Sequence, residues 1–205
     1  MKFNIIVAFS KNRGIGFKNN LPWSIRSDLI KFKKFTIGEG NNAIIMGKNT
    51  WESLPYSPLS FRDNLILSKT LSIDKEIFNE KLNKNYISKT FNSIENILNY
   101  CKYRNYDNVW IIGGSQIYNQ FLESNLLTIS EIYVTYIDKE FECDSFFPVL
   151  DHTKYRSVEQ KYHDITLSYY DFKIYDRIYK NIEKSKNNEK SKNNEKSKNN
   201  EMFNN

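Results

Sequence analysis

An isolated carboxylate, Asp28, is the residue of this chain best placed to do chemistry. It is the first acidic residue, and it ends the run NRGIGFKNNLPWSIRSD, in which a glycine-rich loop leads into Leu21-Pro22-Trp23. In apolar surroundings, desolvation raises the pKa of such a carboxyl group and makes its hydrogen bonds decisive. The run therefore predicts a site for proton chemistry or for recognition of a nitrogen heterocycle. The structural alternative is a first-turn helix acid that the helix dipole stabilises.

A second group of residues predicts a phosphate-binding site. The apolar run VWII ends at Gly113-Gly114 and a helical pattern follows at once, so free backbone N–H groups could meet a pyrophosphate closely. Three other short runs are followed by Gly47-Lys48-Asn49-Thr50, Ser68-Lys69 and Ser88-Lys89. Such side chains at the carboxyl ends of strands suit a phosphorylated adenosine. A glycine pair can also be a simple tight turn, and each lysine an ordinary solvated loop residue.

Alternating strand and helix patterns position these residues in an α/β fold. Continuous apolar runs predict strands of a parallel sheet at Phe3 to Phe9, Ala43 to Met46, Leu65 to Leu67 and Val109 to Ile112. Helical spacing predicts helices at Ser24 to Ile37, Thr50 to Leu54, Ser93 to Lys102 and Ser115 to Leu122. The first helix would turn Asp28 inward. Two further strands, Glu131 to Ile137 and Ile165 to Tyr175, are expected as antiparallel additions at the sheet edge.

Composition limits the class of protein. A chain of 205 residues with 40% hydrophobic content can bury one good core, so one domain over residues 1–180 is expected. Uninterrupted EKSKNN repeats occupy residues 183–200 without an apolar side chain, and they predict a disordered tail over 181–205. Two cysteines and two histidines without ligand spacing argue against a metal site. With no signal peptide and no membrane-length apolar stretch, we expect a cytoplasmic protein.

The motifs, taken in order, resemble the dihydrofolate reductase family. The resemblance is carried by VAFSKNRGIGFKNNLPW, the helix with Asp28, IIMGKNTWESLP, NLILSKT, VWIIGGSQIY and FFP, from Phe3 to about Tyr179. It implies a central, mostly parallel sheet of eight strands flanked by helices, with an antiparallel C-terminal edge strand. It also implies hydride transfer from NADPH to 7,8-dihydrofolate, giving 5,6,7,8-tetrahydrofolate for one-carbon metabolism.

Carried over residue by residue, the resemblance assigns roles at the substrate site. Asp28 would accept hydrogen bonds from the 2-amino group and N3 of the pterin, with support from Thr135. Leu21 and Trp23 would border the catalytic centre, where a water admitted near Leu21 delivers a proton to N5. Arg62 would hold the glutamate α-carboxylate of folate in a bidentate pair. The other substrate residues, each of which could equally be plain core, would be Ile6, Val7, Ala8, Leu29, Phe32, Leu54, Ile112 and Tyr118.

The resemblance also implies an NADPH site around the two glycine motifs. The loop from Gly14 to Leu21 would close over the nicotinamide, the Gly113-Gly114 peptide would be cis, and three basic or hydroxyl residues would surround the 2'-phosphate, namely Ser68, Lys69 and Lys89. The full set of cofactor residues would be Ala8, Ile15, Gly16, Gly47, Lys48, Asn49, Thr50, Leu67, Ser68, Lys69, Ser88, Lys89, Ile112, Gly113, Gly114, Ser115, Gln116, Ile117 and Tyr118.

Three residues depart from the family pattern. Phe61 precedes Arg62 where many members have glycine, which affects how Arg62 is presented. Asn49 stands where some relatives have a second base, and Ser115 takes the third position of a frequent Gly-Gly-Gly. None of these changes removes a chemical role.

Two other classes of function stay open at the level of sequence. A reductase of the riboflavin pathway would share the fold and NADPH, but it gives no reason for Leu-Pro-Trp followed by Asp28. A nucleic-acid-binding module would use the net charge of +6 and the 15% aromatic content, yet no RNP or helix-turn-helix motif is present. The partners expected are dihydrofolate and antifolate inhibitors, with no nucleic acid and no membrane, and the protein is expected to be a monomer.

Overall fold

The computed structural model describes residues 1–80, 83–163 and 172–183. Their elements, in chain order, are β1 (Lys2–Ser10), β2 (Gly14–Gly16), α1 (Arg26–Ile37), β3 (Asn42–Gly47), α2 (Lys48–Ser53), β4 (Asp63–Leu67), β5 (Asp74–Asn79), β6 (Lys84–Phe91), α3 (Ile94–Arg104), β7 (Asn108–Gly113), α4 (Ser115–Glu123), β8 (Ile129–Ile137), β9 (Ser145–Phe146), β10 (Tyr155–His163) and β11 (Ile174–Asn181). Of the tail predicted over 181–205, residues 181–183 are described, and Asn181 is the last residue of β11; the rest of the tail lies outside the described residues.

A mostly parallel sheet forms the centre of the molecule. Its nine described strands run in the order β10-β11-β8-β1-β7-β3-β4-β6-β5, one strand more than the expected eight. The pairings among β8, β1, β7, β3, β4 and β6 are parallel, whereas β5, β10 and β11 pair antiparallel with their neighbours. The α/β class and the antiparallel C-terminal edge are therefore confirmed.

The last strands differ in detail from the sequence prediction. The strand from Glu131 to Ile137 was expected to be antiparallel, but β8 pairs parallel with β1 and takes only β11 as an antiparallel neighbour. The strand expected from Ile165 to Tyr175 is observed only where β11 begins at Ile174, and residues 164–171 lie outside the described residues. Alternating apolar residues give the period of a strand but not the direction of its partner.

Helices cover both faces of the sheet because successive strand residues point to opposite sides. On one face, α3 and α4 pack on a large core that includes Ile5, Ala43, Ile45, Leu65 and Ile111. On the other face, residues of α1 and α2 pack against Ile6, Ile44, Met46, Ile66 and Trp110. We call this second side the α1 face. Since the six parallel strands all end at one edge of the sheet, that edge collects the loops that can form a site.

Candidate active site

Helix α1 packs on the sheet so that two of its inward residues contact alternate residues of β8. Asp28 in the first turn of the helix meets Thr135, and Phe35 two turns later packs against Tyr133, with ring centroids 4.9 Å apart. Positions 28 and 35 share a helix face, and positions 133 and 135 share a sheet face. The helical spacing noted in the sequence therefore turns Asp28 inward, as predicted.

The hydrogen bond between Thr135 and Asp28 fixes the carboxylate at the sheet. The Thr135 hydroxyl donates to Oδ1 of Asp28 over 2.5 Å, and Asp28 is half-buried. Nearby, the buried Tyr118 hydroxyl donates to the carbonyl of Ile6 over 3.0 Å. Burial, and then the charge of Asp28, raise the pKa of Tyr118, so its hydroxyl stays neutral. The carboxylate thus lies beside a neutral donor and an apolar wall.

The apolar wall gathers four of the predicted substrate residues. Ile6, Phe32, Leu54 and Ile112 belong to one cluster on the α1 face. Leu21 and Leu29, which flank Asp28 in the sequence, are 53% and 52% exposed, so two large apolar side chains face solvent there. An apolar slot with one carboxylate at its wall can bind a flat heterocycle and select it by hydrogen bonds.

The side chain of Val7 does not share this wall, so only the backbone of Val7 is available to a ligand there. Its side chain is buried in the core with Ile5 and Phe9, on the sheet face opposite Ile6. Ala8 packs instead with the cluster of Trp23. The reason is the alternation of strand side chains, which cannot present the side chains of three consecutive residues to one face of the sheet.

Trp23, five residues before Asp28 in the sequence, supplies a second polar group. Its ring is buried against Phe141, with centroids 5.3 Å apart. Within the described residues its indole Nε1 has no hydrogen-bond partner. A buried N–H without an acceptor is costly, so this atom is suited to hold a water or a ligand atom.

Arg62 presents a buried cation on the α1 face. The residue is 3% exposed, its Nη1 donates to the hydroxyl of Thr36, and it lies 5.8 Å from the ring centroid of Phe32. Burial lowers its pKa to about 10, so the guanidinium remains charged at neutral pH. Its Nε has no partner among the described residues. A buried guanidinium with unused donors suits an incoming carboxylate. Phe61, the departure noted above, adopts a positive φ of 67° and turns its ring edge to Tyr86.

Two adjacent strands end in glycines that begin helices. Gly47 lies at the start of α2 and Gly114 at the start of α4, and neither helix has a side-chain cap. A Cβ on Gly114 would lie 3.4 Å from Oγ1 of Thr50, and one on Gly113 would lie 3.0 Å from the ring of Tyr118. The Gly113–Gly114 peptide is cis, as expected. The two glycine segments thus meet closely at the edge of the sheet.

This glycine cradle fits the pyrophosphate of a dinucleotide. The first-turn amides of a helix have no intrahelical acceptor and carry the positive end of the dipole. Thr50 is half-buried, Lys48 lies 3.8 Å from Glu52 and keeps 41% exposure, and Asn49 and Gln116 are exposed. The Ser115 hydroxyl donates to the Phe146 carbonyl over 2.6 Å, which leaves its backbone amide for an anion. Ile117 is close enough to Gly47 to hold the two segments together.

Ser68 and Lys69 lie where the sequence predicted them, just beyond Leu67 at the end of β4. The Ser68 amide donates to the carbonyl of Phe91 over 2.8 Å, and its Oγ accepts from the amides of Thr70 and Leu71. Lys69 is exposed. This turn offers a solvated cation at the carboxyl edge of the sheet.

Ser88 and Lys89 are not at that edge, and this corrects their assumed position. They lie within β6, opposite Asn64 and Leu65, and Lys89 forms an ion pair with Asp74 of β5. Ser88 is 2% exposed, well below the surface. Lys89 interrupts the apolar run of β6, so the apolar pattern alone predicts an end of the strand before its true end at Phe91.

The residue that does follow β6 at the edge is Asn92, which sequence analysis missed. Its neighbour Ser93 caps α3, accepting a hydrogen bond from the amide of Asn96 over 3.2 Å. An N-cap serine marks the residue before a helix. That signal would have placed the end of the strand at Phe91 rather than at Ile87.

The glycine loop after β1 is tied to the segment before Phe146. Strand β2, with Ile15 at its centre, pairs with β9, and the amide of Asp144 donates to the Gly16 carbonyl over 3.0 Å. The amide of Lys18 donates to the Asp144 carboxylate over 2.8 Å. A Cβ on Gly14 would lie 2.2 Å from Sγ of Cys143, so only glycine fits there. The loop therefore has a defined position beside Leu21.

Comparison with known proteins decides the family. The family model described as dihydrofolate reductase matches residues 2–177. The chain belongs to the dihydrofolate reductase family. It is accordingly an oxidoreductase, and the nicotinamide cofactor used by the family is compatible with the glycine cradle. Among the described residues, no cluster suited to a metal ion is present, and none of the described helices is long and apolar enough to cross a membrane.

Relatives from distant organisms align with most of the chain. The chain is 38% identical over 161 residues to the dihydrofolate reductase of Buchnera aphidicola subsp. Baizongia pistaciae, an alignment covering 78% of this chain and 86% of the relative. It is 35% identical to that of Schistosoma mansoni, with 78% and 84% covered. The enzyme of Heliothis virescens is 31% identical, with 87% and 98% covered. The family model therefore covers the described sheet as far as Arg177, within β11.

Proposed function

We propose that this enzyme reduces 7,8-dihydrofolate to 5,6,7,8-tetrahydrofolate with NADPH as the hydride donor. NADPH, when bound, supplies the hydride that adds to C6 of the pterin, and N5 gains a proton. The observation that carries the proposal is the half-buried carboxylate of Asp28, held by Thr135 on the face of the sheet that carries the apolar cluster of Ile6 and Phe32. That arrangement matches the 2-amino group and N3 of a pterin, which both donate hydrogen bonds.

In this proposal Asp28 acts electrostatically rather than as the direct proton donor. A carboxylate bound to the 2-amino group and N3 lies on the side of the ring away from N5. It can therefore favour protonation of N5 only through the polarised ring. The proton itself comes from a water admitted near Leu21. The indole N–H of Trp23, which has no partner among the described residues, supplies a hydrogen-bond donor for an ordered water.

The rest of the substrate site follows from the same surface. The pterin and the aminobenzoyl ring lie against Ile6, Ala8, Leu29, Phe32, Leu54 and Ile112. The glutamate α-carboxylate binds Arg62, whose guanidinium is buried, charged and has an Nε without a partner among the described residues. Tyr118 contributes by fixing the Ile6 carbonyl. Antifolates with a protonated diaminopyrimidine ring compete for Asp28.

The cofactor occupies the glycine cradle and the edge beyond β4. Backbone amides at Gly114, Ser115 and Gln116 would face the pyrophosphate, with Gly47, Lys48, Asn49 and Thr50 on the other side. Ile117, whose own amide donates to the Gly114 carbonyl over 2.9 Å, would support this turn behind the cofactor. Lys69 and Ser68 bind the 2'-phosphate, which favours NADPH over NADH. The loop carrying Ile15 and Gly16 closes over the nicotinamide and excludes water.

The reductase domain comprises residues 1–180 in this proposal, and residues 181–205 are an appendage. The protein acts as a cytoplasmic monomer on small molecules. Deleting residues 184–205 is then expected to leave kcat unchanged.

The test is a spectrophotometric assay of the full chain with dihydrofolate and NADPH, with methotrexate as competitor. Dihydrofolate-dependent loss of reduced-nicotinamide absorbance that methotrexate abolishes is expected. Oxidation of NADPH that does not depend on dihydrofolate, or no oxidation at all by the folded protein, would refute the proposal.

A further inference from the structure

A second contact between α1 and the sheet lies beside the bond of Asp28 to Thr135. Lys31, one helical turn after Asp28, forms an ion pair through Nζ with Oδ1 of Asp176 on β11. Both side chains are partly buried, at 21% and 27% exposure. Partial burial makes this pair less screened than an ion pair on the open surface.

The register of the sheet brings the two contacts together. Asp176 on β11 is the direct cross-strand partner of Thr135 on β8. Directly opposite residues of an antiparallel pair have neighbouring side chains on the same face. On the helix, Asp28 and Lys31 are three residues apart and also neighbours. The two contacts are therefore adjacent. Asp28 and Thr135 form one pair, and Lys31 and Asp176 form the other beside it.

We propose that the ion pair of Lys31 and Asp176 is a positioning and charge-balancing element for Asp28. It holds α1 against β8 and β11, so that the Asp28 carboxylate keeps its bond to Thr135. It also places one positive and one negative charge beside that carboxylate, and these largely offset each other. This inference rests on the proposed function, because it concerns the carboxylate that binds the pterin.

Titratable groups approach Asp28 from several packed elements. Lys31 lies on its own helix, Asp176 on β11, and Tyr118, which is neutral, on α4. Farther along the same strands, Lys180 pairs with Glu131 at 3.3 Å, four positions beyond Asp176 and Thr135. Arg177 lies on the opposite sheet face, where it stacks 3.9 Å from the ring centroid of Tyr136. On β10, Lys161 is the direct cross-strand partner of Asp176, but its side chain is exposed and pairs with Glu159. Lys31 and Asp176 are therefore the partly buried charges whose loss changes the field at Asp28 most.

The proposal predicts shifts of opposite sign for two single variants. Lys31→Met removes the cation and leaves the anion of Asp176, which disfavours ionisation of Asp28. Asp176→Asn leaves the cation of Lys31, which favours it. The midpoint pH of the ionisation that controls kcat should rise by about half a unit in the first variant and fall by about as much in the second. The double variant should return close to the wild-type midpoint.

The experiment measures this midpoint for the full chain in two ways. One is the pH profile of kcat with dihydrofolate and NADPH, and the other is the pH dependence of methotrexate binding to the enzyme alone. Lys180→Met is the matched control, since it breaks an ion pair between the same two strands and should leave the midpoint unchanged. Thermal unfolding shows that each variant is folded.

The possible results separate the two proposals. Opposite shifts, cancelled in the double variant, support charge balance at Asp28. Shifts in the same direction, or no shift in an active and folded enzyme, overturn it, because a purely structural ion pair would affect both variants alike. A wild-type protein without dihydrofolate-dependent turnover and without methotrexate binding overturns the proposed function and this inference with it.

Discussion

The buried guanidinium of Arg62 donates to the hydroxyl of Thr36, eight residues after Asp28 on the same helix. Eight residues correspond to about 12 Å of helix. One rigid helix therefore sets the separation between a carboxylate and a buried cation at the two ends of the slot. A ligand with a hydrogen-bond donor edge at one end and a carboxylate at the other fits this spacing.

Replacing Arg62 tests whether the buried cation binds the carboxylate of the substrate. Arg62→Gln should raise the KM for dihydrofolate by about 10- to 100-fold, because a charge-assisted hydrogen bond is worth roughly 1.5–3 kcal/mol. The turnover number should change much less, since Arg62 is remote from the reacting ring. Steady-state kinetics with a dihydropteridine that lacks the glutamate provides the control. An equal loss with both substrates would show that Arg62 does not bind the carboxylate.

The corrected position of Lys89 gives a paired test of the 2'-phosphate site. Lys69→Ala removes the exposed cation at the end of β4 and should raise the KM for NADPH several-fold more than the KM for NADH. Lys89→Ala should change neither the KM for NADPH nor the KM for NADH, because Lys89 lies within β6 and pairs with Asp74. Kinetics with both cofactors measures the difference. A larger effect from Lys89 than from Lys69 would contradict the site described here.

The two glycines of the cradle should respond differently to alanine. At Gly113 the new Cβ would lie 3.0 Å from the Tyr118 ring, with φ at +111°, so Gly113→Ala should lower the free energy of unfolding by about 1–3 kcal/mol. At Gly114 the nearest atom is 3.4 Å away, an ordinary contact. Gly114→Ala should therefore stay folded but bind NADPH more weakly. Denaturant unfolding and cofactor titration separate the two effects, and equal stability losses would contradict the geometry.

The two thiols should differ in reactivity. Burial raises the pKa of Cys101 from 9.0 to about 12, whereas Cys143 is partly exposed, with a pKa raised mainly by its burial. Since only the thiolate reacts, native protein at neutral pH should be alkylated at Cys143 first, and at Cys101 only after unfolding. Peptide mass spectrometry after iodoacetamide treatment checks this order. Early labelling of Cys101 would show that its surroundings open readily.

The raised pKa of Cys101 also sets a direction for alkaline stability. The folded state keeps the proton longer than the unfolded state, so the contribution of this thiol is complete below about pH 9. It is lost as the pH rises from 9 towards 12, while the unfolded thiol ionises. Cys101→Ala should make the free energy of unfolding less dependent on pH in that range.

Much of the site could be predicted because its residues lie in strongly patterned elements. The helical spacing of α1 predicts the inward direction of Asp28, and the apolar run of β1 predicts a central strand. The position of Thr135 on the neighbouring strand came from the resemblance to the family, and the hydrogen bond to Asp28 is observed. Gly113-Gly114 was placed correctly because a strand leads directly into a helix there.

The features that the sequence did not predict are set by contacts between segments that are distant in the sequence, and not by the pattern within one segment. Strand β5 has the sequence DKEIFN and is exposed at every residue except the half-buried Asn79. It therefore has no buried apolar face and is defined by its pairing with β6. Lys89 was misplaced because ion pairing with Asp74 lets a lysine lie within a strand. The ion pair of Lys31 and Asp176 joins residues 145 positions apart, which no local pattern reveals.

The central claim is that the Asp28 carboxylate, held by Thr135, enables reduction of the pterin. Its most direct test compares kcat of the wild type and Asp28→Asn at saturating dihydrofolate and NADPH, with thermal unfolding as the check on folding. The account predicts an unchanged unfolding temperature and a fall in kcat of about 10²- to 10⁴-fold, the size expected for loss of a group that assists proton transfer. A folded variant that turns over at the wild-type rate would contradict it.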